Sequence, residues 1–272
     1  MRIIYQPKGK AQEYAESALD AGDGYAANIY SGCTNGCAYC YVPSYHPWKG
    51  KENPREEFHK QSVPRKDVLK LLEKDLIEMD KNGLHNNPLH LCFTCDPYPE
   101  EGSEITRECL LLMEKYRMRN VQILTKGGLR ASRDFDLLRK NGWKFGSTVV
   151  GVKEDYYTKW ENHGLGQAGW EPNATLFFER ELAIESAHNM GIFTWVSIEP
   201  VIDTVEALEV IYRLKGSVDL WKIGKLNHGK QISPECAAIE KQTDWRDFVS
   251  RAKELLENDE VVWKKSLRKY ME

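Results

Sequence analysis

No run of about eighteen apolar residues, the length a membrane-spanning helix needs, occurs in this chain of 272 residues. The opening stretch MRIIYQPKGKAQEYAES lacks the long apolar core of a secretory signal. These absences set the expectation of a cytoplasmic protein without membrane contact, in a compartment that keeps thiols reduced. A global basic field is missing too. Lys and Arg number 38 against 41 Asp and Glu, for a net charge of −3, so nothing advertises nucleic acid as a partner. A local basic lip would still serve one. No internal repeat, low-complexity tract or dividing linker appears, and one domain spanning 1–272 is expected. Cysteine is sparse and odd in number, seven in all, which argues against a disulfide framework.

Three of those seven cysteines fall within eight residues, in Ser31-Gly32-Cys33-Thr34-Asn35-Gly36-Cys37-Ala38-Tyr39-Cys40-Tyr41. Thiolates at C-x3-C-x2-C spacing converge on one metal centre when glycines let the loop turn tightly. Three ligands leave one position open, on iron or on zinc. With His46 as a fourth ligand the loop would be a Cys3His structural zinc site. The chain would then be a non-enzymatic, metal-stabilised binding module.

The remaining pattern is an alternation. Residues 1–24 read as a polar arm, and 25–31 as a strand running into the cysteine loop. Residues 42–64, with four prolines, read as a long loop. Val68, Leu72, Leu76 and Met79 recur at helical spacing. Strands follow at 89–94, 121–125, 145–150, 192–198 and 218–224. Helices separate them, with Ser103 and Ser132 read as N-caps, and a last helix places Trp245, Phe248, Val249 and Ala252 on one face. Six strand–helix alternations predict an α/β fold, a partial parallel (β/α)6 barrel with strand-end loops on one rim. The barrel core is placed at 25–225 and a helical extension at 226–272. The Trp263–Tyr270 tail, basic and aromatic, reads as a solvated terminus. If 89–94 is one strand, Cys92 and Cys95 face opposite ways, which makes a metal or redox pair of them difficult and leaves Cys92 to core packing.

The cysteine loop, with Tyr39 just before its last cysteine, resembles the radical S-adenosylmethionine (SAM) superfamily, and within it the spore photoproduct lyase-like branch. The matching pieces are Tyr5-Gln6-Pro7-Lys8-Gly9-Lys10-Ala11, GCTNGCAYCYVP, TCDPY at 94–98, LTKGGLRASRDFDLL at 124–138, WEPNA at 170–174 with Arg180, and SIEPVID at 197–203. The resemblance implies a barrel of radical SAM type. Cys33, Cys37 and Cys40 would hold a 4Fe–4S cluster whose fourth iron binds SAM. A reductant such as flavodoxin or ferredoxin would drive radical formation, and a hydrogen atom would be taken from the substrate. It also implies cofactor contacts for Tyr39, Asp96, Lys126, Ser147, Arg180 and Glu199. Two departures leave the substrate open, with nucleic acid as a candidate. The lyase's hydrogen-returning cysteine precedes Thr-Ser-Asp, whereas Phe93 precedes Thr94-Cys95-Asp96 here, so Cys95 is the candidate catalytic donor. The lyase's Ala-Pro after the fifth strand is Glu199-Pro200.

Overall fold

The computed structural model describes residues 2–18, 20–44, 48–153, 169–227 and 229–271. His46, the fourth ligand of the zinc alternative, lies outside the described residues. The strands are β1 (Ile4–Tyr5), β2 (Tyr25–Ala27), β3 (Tyr30–Ser31), β4 (Val63–Pro64), β5 (Leu89–Leu91), β6 (Val121–Thr125), β7 (Lys144–Thr148), β8 (Thr194–Val201), β9 (Leu220–Lys225) and β10 (Val261–Trp263). The helices are α1 (Gln12–Ala15), α2 (Pro54–His59), α3 (Val68–Lys81), α4 (Glu104–Lys115), α5 (Phe135–Asn141), α6 (Phe177–Asn189), α7 (Thr204–Leu214), α8 (Gly229–Ile232), α9 (Pro234–Gln242), α10 (Trp245–Leu255) and α11 (Lys265–Arg268). None is long and apolar enough to cross a membrane.

Eight strands form one sheet in the order β1-β2-β5-β6-β7-β8-β9-β10. From β2 to β10 every neighbouring pair is parallel, and only β1 runs antiparallel, on β2. The six expected barrel strands are therefore present in chain order, as one mostly parallel sheet with helices in its connections. Two strands of this sheet were not expected. β1 turns the start of the polar arm into a sheet edge, and β10 adds a seventh parallel strand from the supposed helical extension.

Local chemistry explains most boundaries. The stripe Val68, Leu72, Leu76 and Met79 is the buried face of α3, as its spacing predicts. Asp203 and Asp244 accept from the first amides of α7 and α10 and cap them. Ser103 and Ser132 do not cap. Ser103 has helical backbone angles and its hydroxyl accepts from Arg133, while the Ser132 hydroxyl donates to the Leu129 carbonyl inside a 3-10 turn. The 25–31 stretch breaks in two: β2 joins the main sheet, and β3 leaves it to pair with β4. That departure swings the cysteine loop out over the strand ends.

The polar arm is a plug as well as an edge. Tyr14 on α1 packs its ring beside His90, Phe93 and Trp195. Its backbone carbonyl accepts from Gln122 on β6 and, at 3.2 Å, from Lys222 on β9.

Candidate active site

The three loop cysteines line one cavity of about 650 Å3 at the C-terminal ends of the parallel strands. The loop is clamped from two sides. On one, α2 reaches all three cysteines through their backbone. Arg55 donates to the carbonyls of Cys37 and Cys40 at 2.8 and 3.0 Å, and His59 Nδ1 donates to the carbonyl of Cys33 at 2.7 Å. The Cys33 amide donates back to Phe58 at 3.1 Å. A carbonyl only accepts, so Nδ1 carries the His59 proton and Nε2 is the acceptor. On the other side, Ala38 donates to the Trp170 carbonyl at 2.8 Å and Asn173 to that of Thr34 at 3.0 Å. Gly32 sits at φ +79°, and a Cβ there would lie 2.1 Å from the Gln61 carbonyl oxygen, so only glycine fits this turn.

Burial pushes all three thiols up, Cys37 to about 12. They are protonated at neutral pH, and a metal that takes them as thiolates must displace protons. Among the described residues, no group of three His, Cys, Asp or Glu side chains that could hold a single metal ion is found. A mononuclear zinc site needs sulfurs at about 2.3 Å from one point. A cubane cluster instead takes each thiolate on a different iron.

A buried network stands behind the loop. Glu171 and Arg180 pair at 2.7 Å, and the side chains of both are 0% exposed. The Tyr39 hydroxyl donates to the other Glu171 oxygen, and Lys126 Nζ lies 3.8 Å from that same oxygen. Arg180 also donates to the Thr148 carbonyl at 2.7 Å. Burial opposes the Lys126 charge, but attraction to Cys37 once that sulfur is ionised and to the Glu171 carboxylate outweighs it, and its pKa is raised. Lys126 therefore holds its proton at the cavity wall, 5.7 Å from the centre of the Tyr39 ring.

Asp96 ties the loop to the sheet. Its carboxylate accepts from Asn35 at 3.0 Å, Thr125 at 2.6 Å, and the amides of Lys126 and Tyr98 at 2.7 and 2.8 Å. Four donors fill the lone-pair directions of a carboxylate. Its observed work is to hold the cysteine loop against the end of β6. The Ser147 hydroxyl donates to the Thr125 carbonyl at 3.1 Å, joining β7 to β6.

The same cavity is also lined by Phe93, Cys95, Glu199, Lys225 and Asn227. Tyr14 donates to Glu199, and Lys264 lies 3.8 Å from the same carboxylate oxygen. Gly224 leaves the room this pair needs, since a Cβ there would come within 2.8 Å of Lys264 and 3.0 Å of Glu199. The basic tail is thus not wholly solvated: Lys264 is buried and also faces Glu13 at 3.5 Å. Cys92 and Cys95 line the same cavity. Strand alternation does not separate them because β5 ends at Leu91, and the chain turns where Asn28 accepts from the amides of Phe93 and Thr94.

Of the expected site residues, Cys33, Cys37, Cys40, Tyr39, Asp96, Lys126, Cys95 and Glu199 share the cavity wall, whereas Ser147 and Arg180 lie behind it. Sequence reasoning passed over Glu171, Arg55, His59, Tyr14 and Lys264. Glu171 had a signal, a carboxylate between Trp170 and Pro172 in a matched motif. Tyr14 and Lys264 meet across 250 residues of chain, and no local pattern marks that.

No family model matches the sequence, and no curated protein does. Solved structures do match. SuiB of Streptococcus suis bound to S-adenosylmethionine superposes with a TM-score of 0.55 at 11% identity, over 88% of this chain and 49% of that one. SuiB bound to its precursor peptide SuiA gives 0.57 at 12% identity, over 88% and 48%. A spore photoproduct lyase variant with bound S-adenosylmethionine and dinucleoside spore photoproduct gives 0.54 at 14% identity, over 84% and 64%. The chain thus spans about half the length of SuiB. The likeness is one of fold, and the fold is the one the sequence resemblance implied.

Proposed function

We propose that this chain is a radical SAM enzyme. The observation that carries the reading is the sharing of one cavity, at the ends of parallel strands, by three loop thiols and the protonated Lys126. The donor set fits the cofactors: three thiols on one cavity wall, a cation held ready, and a void within the size range of ligand pockets. When bound, a 4Fe–4S cluster and SAM supply a carbon radical that removes a hydrogen atom from the substrate.

Cys33, Cys37 and Cys40 would hold the cluster, and the α2 clamp keeps them in place. Lys126 would meet the carboxylate of the SAM methionine end, oriented by Glu171. Tyr39, fixed by the same carboxylate, offers its ring face on the cofactor side. Phe93 and Tyr14 close the far wall and exclude water. Glu199 accepts hydrogen bonds from a polar substrate, and Cys95 donates a hydrogen atom to the product radical.

SuiB is described with a precursor peptide and the lyase with a dinucleoside spore photoproduct. For this chain, the carboxylate and the lysine on the substrate wall support a polar substrate, with nucleic acid the candidate class. The reading requires a flavodoxin- or ferredoxin-type reductant and a reducing, cytoplasmic setting.

The test is anaerobic reconstitution with iron and sulfide, followed by SAM and a low-potential reductant. Formation of 5′-deoxyadenosine is expected, with loss of it in Cys37→Ala. Lys126→Met is expected to raise the SAM concentration required about tenfold, the effect of about 1.4 kcal/mol. A cluster-loaded protein that makes no 5′-deoxyadenosine would refute the reading.

A further inference from the structure

We propose that Cys92 and Cys95 are a redox-active dithiol in the cavity wall, which reduces a carbon-centred radical by closing to a disulfide. The inference rests on the radical reading above and adds a second thiol, and with it a second electron, to the donor side of the reaction.

Both cysteines are free, buried and cavity-lining. The turn that brings them together is built deliberately. Asn28 takes the two amides between them, and Asp96 takes the amide of Tyr98 just beyond. Two intervening residues in a turn is the spacing that reversible disulfides use. A metal is a poor occupant, because no third His, Cys, Asp or Glu among the described residues completes a site. A role in packing alone does not account for two thiols on a wall that faces substrate.

Their chemistry favours radicals over external disulfides. Burial first, then the hydrogen bond that its own S–H makes with Cys95, holds the Cys92 thiol well above its ordinary pKa. A thiol kept protonated is a weak nucleophile, yet it still carries the S–H hydrogen that a radical removes. The step balances as follows. Cys95 gives its hydrogen atom to the carbon radical, forming a C–H bond and leaving a sulfur radical. Cys92 releases its proton to cavity water and bonds to that sulfur. The surplus electron passes to a one-electron acceptor of the iron–sulfur class. The two thiols together lose one hydrogen atom, one proton and one electron, and one disulfide forms. Each turnover therefore leaves a disulfide that a dithiol must reopen.

Cleavage at Lys81 and Arg107 releases one peptide that contains Cys92 and Cys95 and no other cysteine, so the closed pair is read as the loss of two hydrogens from that peptide. First, the cluster-loaded protein is equilibrated anaerobically in dithiothreitol redox buffers and its free thiols are alkylated. The expected result is a disulfide in this peptide that appears as the buffer is made oxidising, and that is absent in Cys92→Ser and Cys95→Ser proteins of unchanged melting temperature. A pair that stays fully alkylated in the most oxidising buffer overturns the proposal without touching the radical reading.

Second, SAM is cleaved without substrate in D2O, using a photoreductant that does not reduce disulfides. The adenosyl radical then stands in for the substrate radical. Deuterium in 5′-deoxyadenosine together with an equal amount of the disulfide is expected. Unlabelled 5′-deoxyadenosine, or label without the disulfide, overturns the dithiol alone. No 5′-deoxyadenosine at all overturns the radical reading and this inference with it.

Discussion

The Glu171 carboxylate and the Arg180 guanidinium meet at 2.7 Å where neither side chain touches solvent. Two charges so placed have lost their hydration, and their attraction must replace it. Here the replacement is shared, because Tyr39 and Lys126 converge on the same carboxylate. One carboxylate therefore links α6, the cysteine loop and the end of β6.

Glu171→Gln removes the carboxylate charge that pairs with the buried Arg180. Removing one member of such a pair costs about 3–5 kcal/mol, far more than a surface ion pair. The urea midpoint should fall accordingly. Affinity for SAM should fall with it, since Lys126 loses the group that holds it.

Asp96→Asn puts an amide where four donors converge. Each donor left unmatched costs about 1–3 kcal/mol. Because one of the four is Asn35, the predicted effect is a loosened cysteine loop. Less iron should be retained after gel filtration, at a temperature where the variant is still folded by circular dichroism.

Arg55 holds two cysteine carbonyls from the flank of the loop. Arg55→Met keeps the side-chain bulk and removes both bonds. A loss of about 1.4 kcal/mol is a factor of ten, so a chelator should strip iron about ten times faster. The melting temperature of the iron-free protein should change little.

What was legible beforehand follows a physical rule. Periodicity exposes α3 and the parallel strands, and glycine-flanked thiols expose the loop, because each is a local pattern. Contacts formed by distant segments left no such mark. The pairing of Tyr14 with Glu199, the burial of Lys264 and the strand β10 depend on where the two chain ends fold back. The Cys92–Cys95 arrangement was misread for a local reason. A strand ending at Leu91 and one ending at Thr94 look alike in sequence, and only the Asn28 side chain, 65 residues from Phe93, decides between them.

Lys222 gives a pH signature. Burial, then the nearby Lys264, lowers its pKa to about 7, against about 10.4 for an unfolded lysine. Between those values the unfolded chain holds the extra proton, so this residue's contribution to stability rises with pH. The penalty is full below pH 7 and gone above about 10.4. Lys222→Met removes it. The stability difference between variant and parent should be largest in the variant's favour at pH 6, and should shrink towards pH 10 by up to about 1.4 kcal/mol per unit. Paired urea melts at pH 6, 8 and 10 measure it.

The central claim is that the cysteine loop holds a cluster with one position open to SAM. The most direct measurement is the electron paramagnetic resonance spectrum of the reduced, reconstituted protein before and after SAM is added. The account predicts about four irons per chain, a cluster signal that SAM reshapes, and the same reshaping in Lys126→Met only at about tenfold higher SAM. A zinc-filled protein without a cluster signal, or a cluster signal that SAM leaves unchanged, would contradict it.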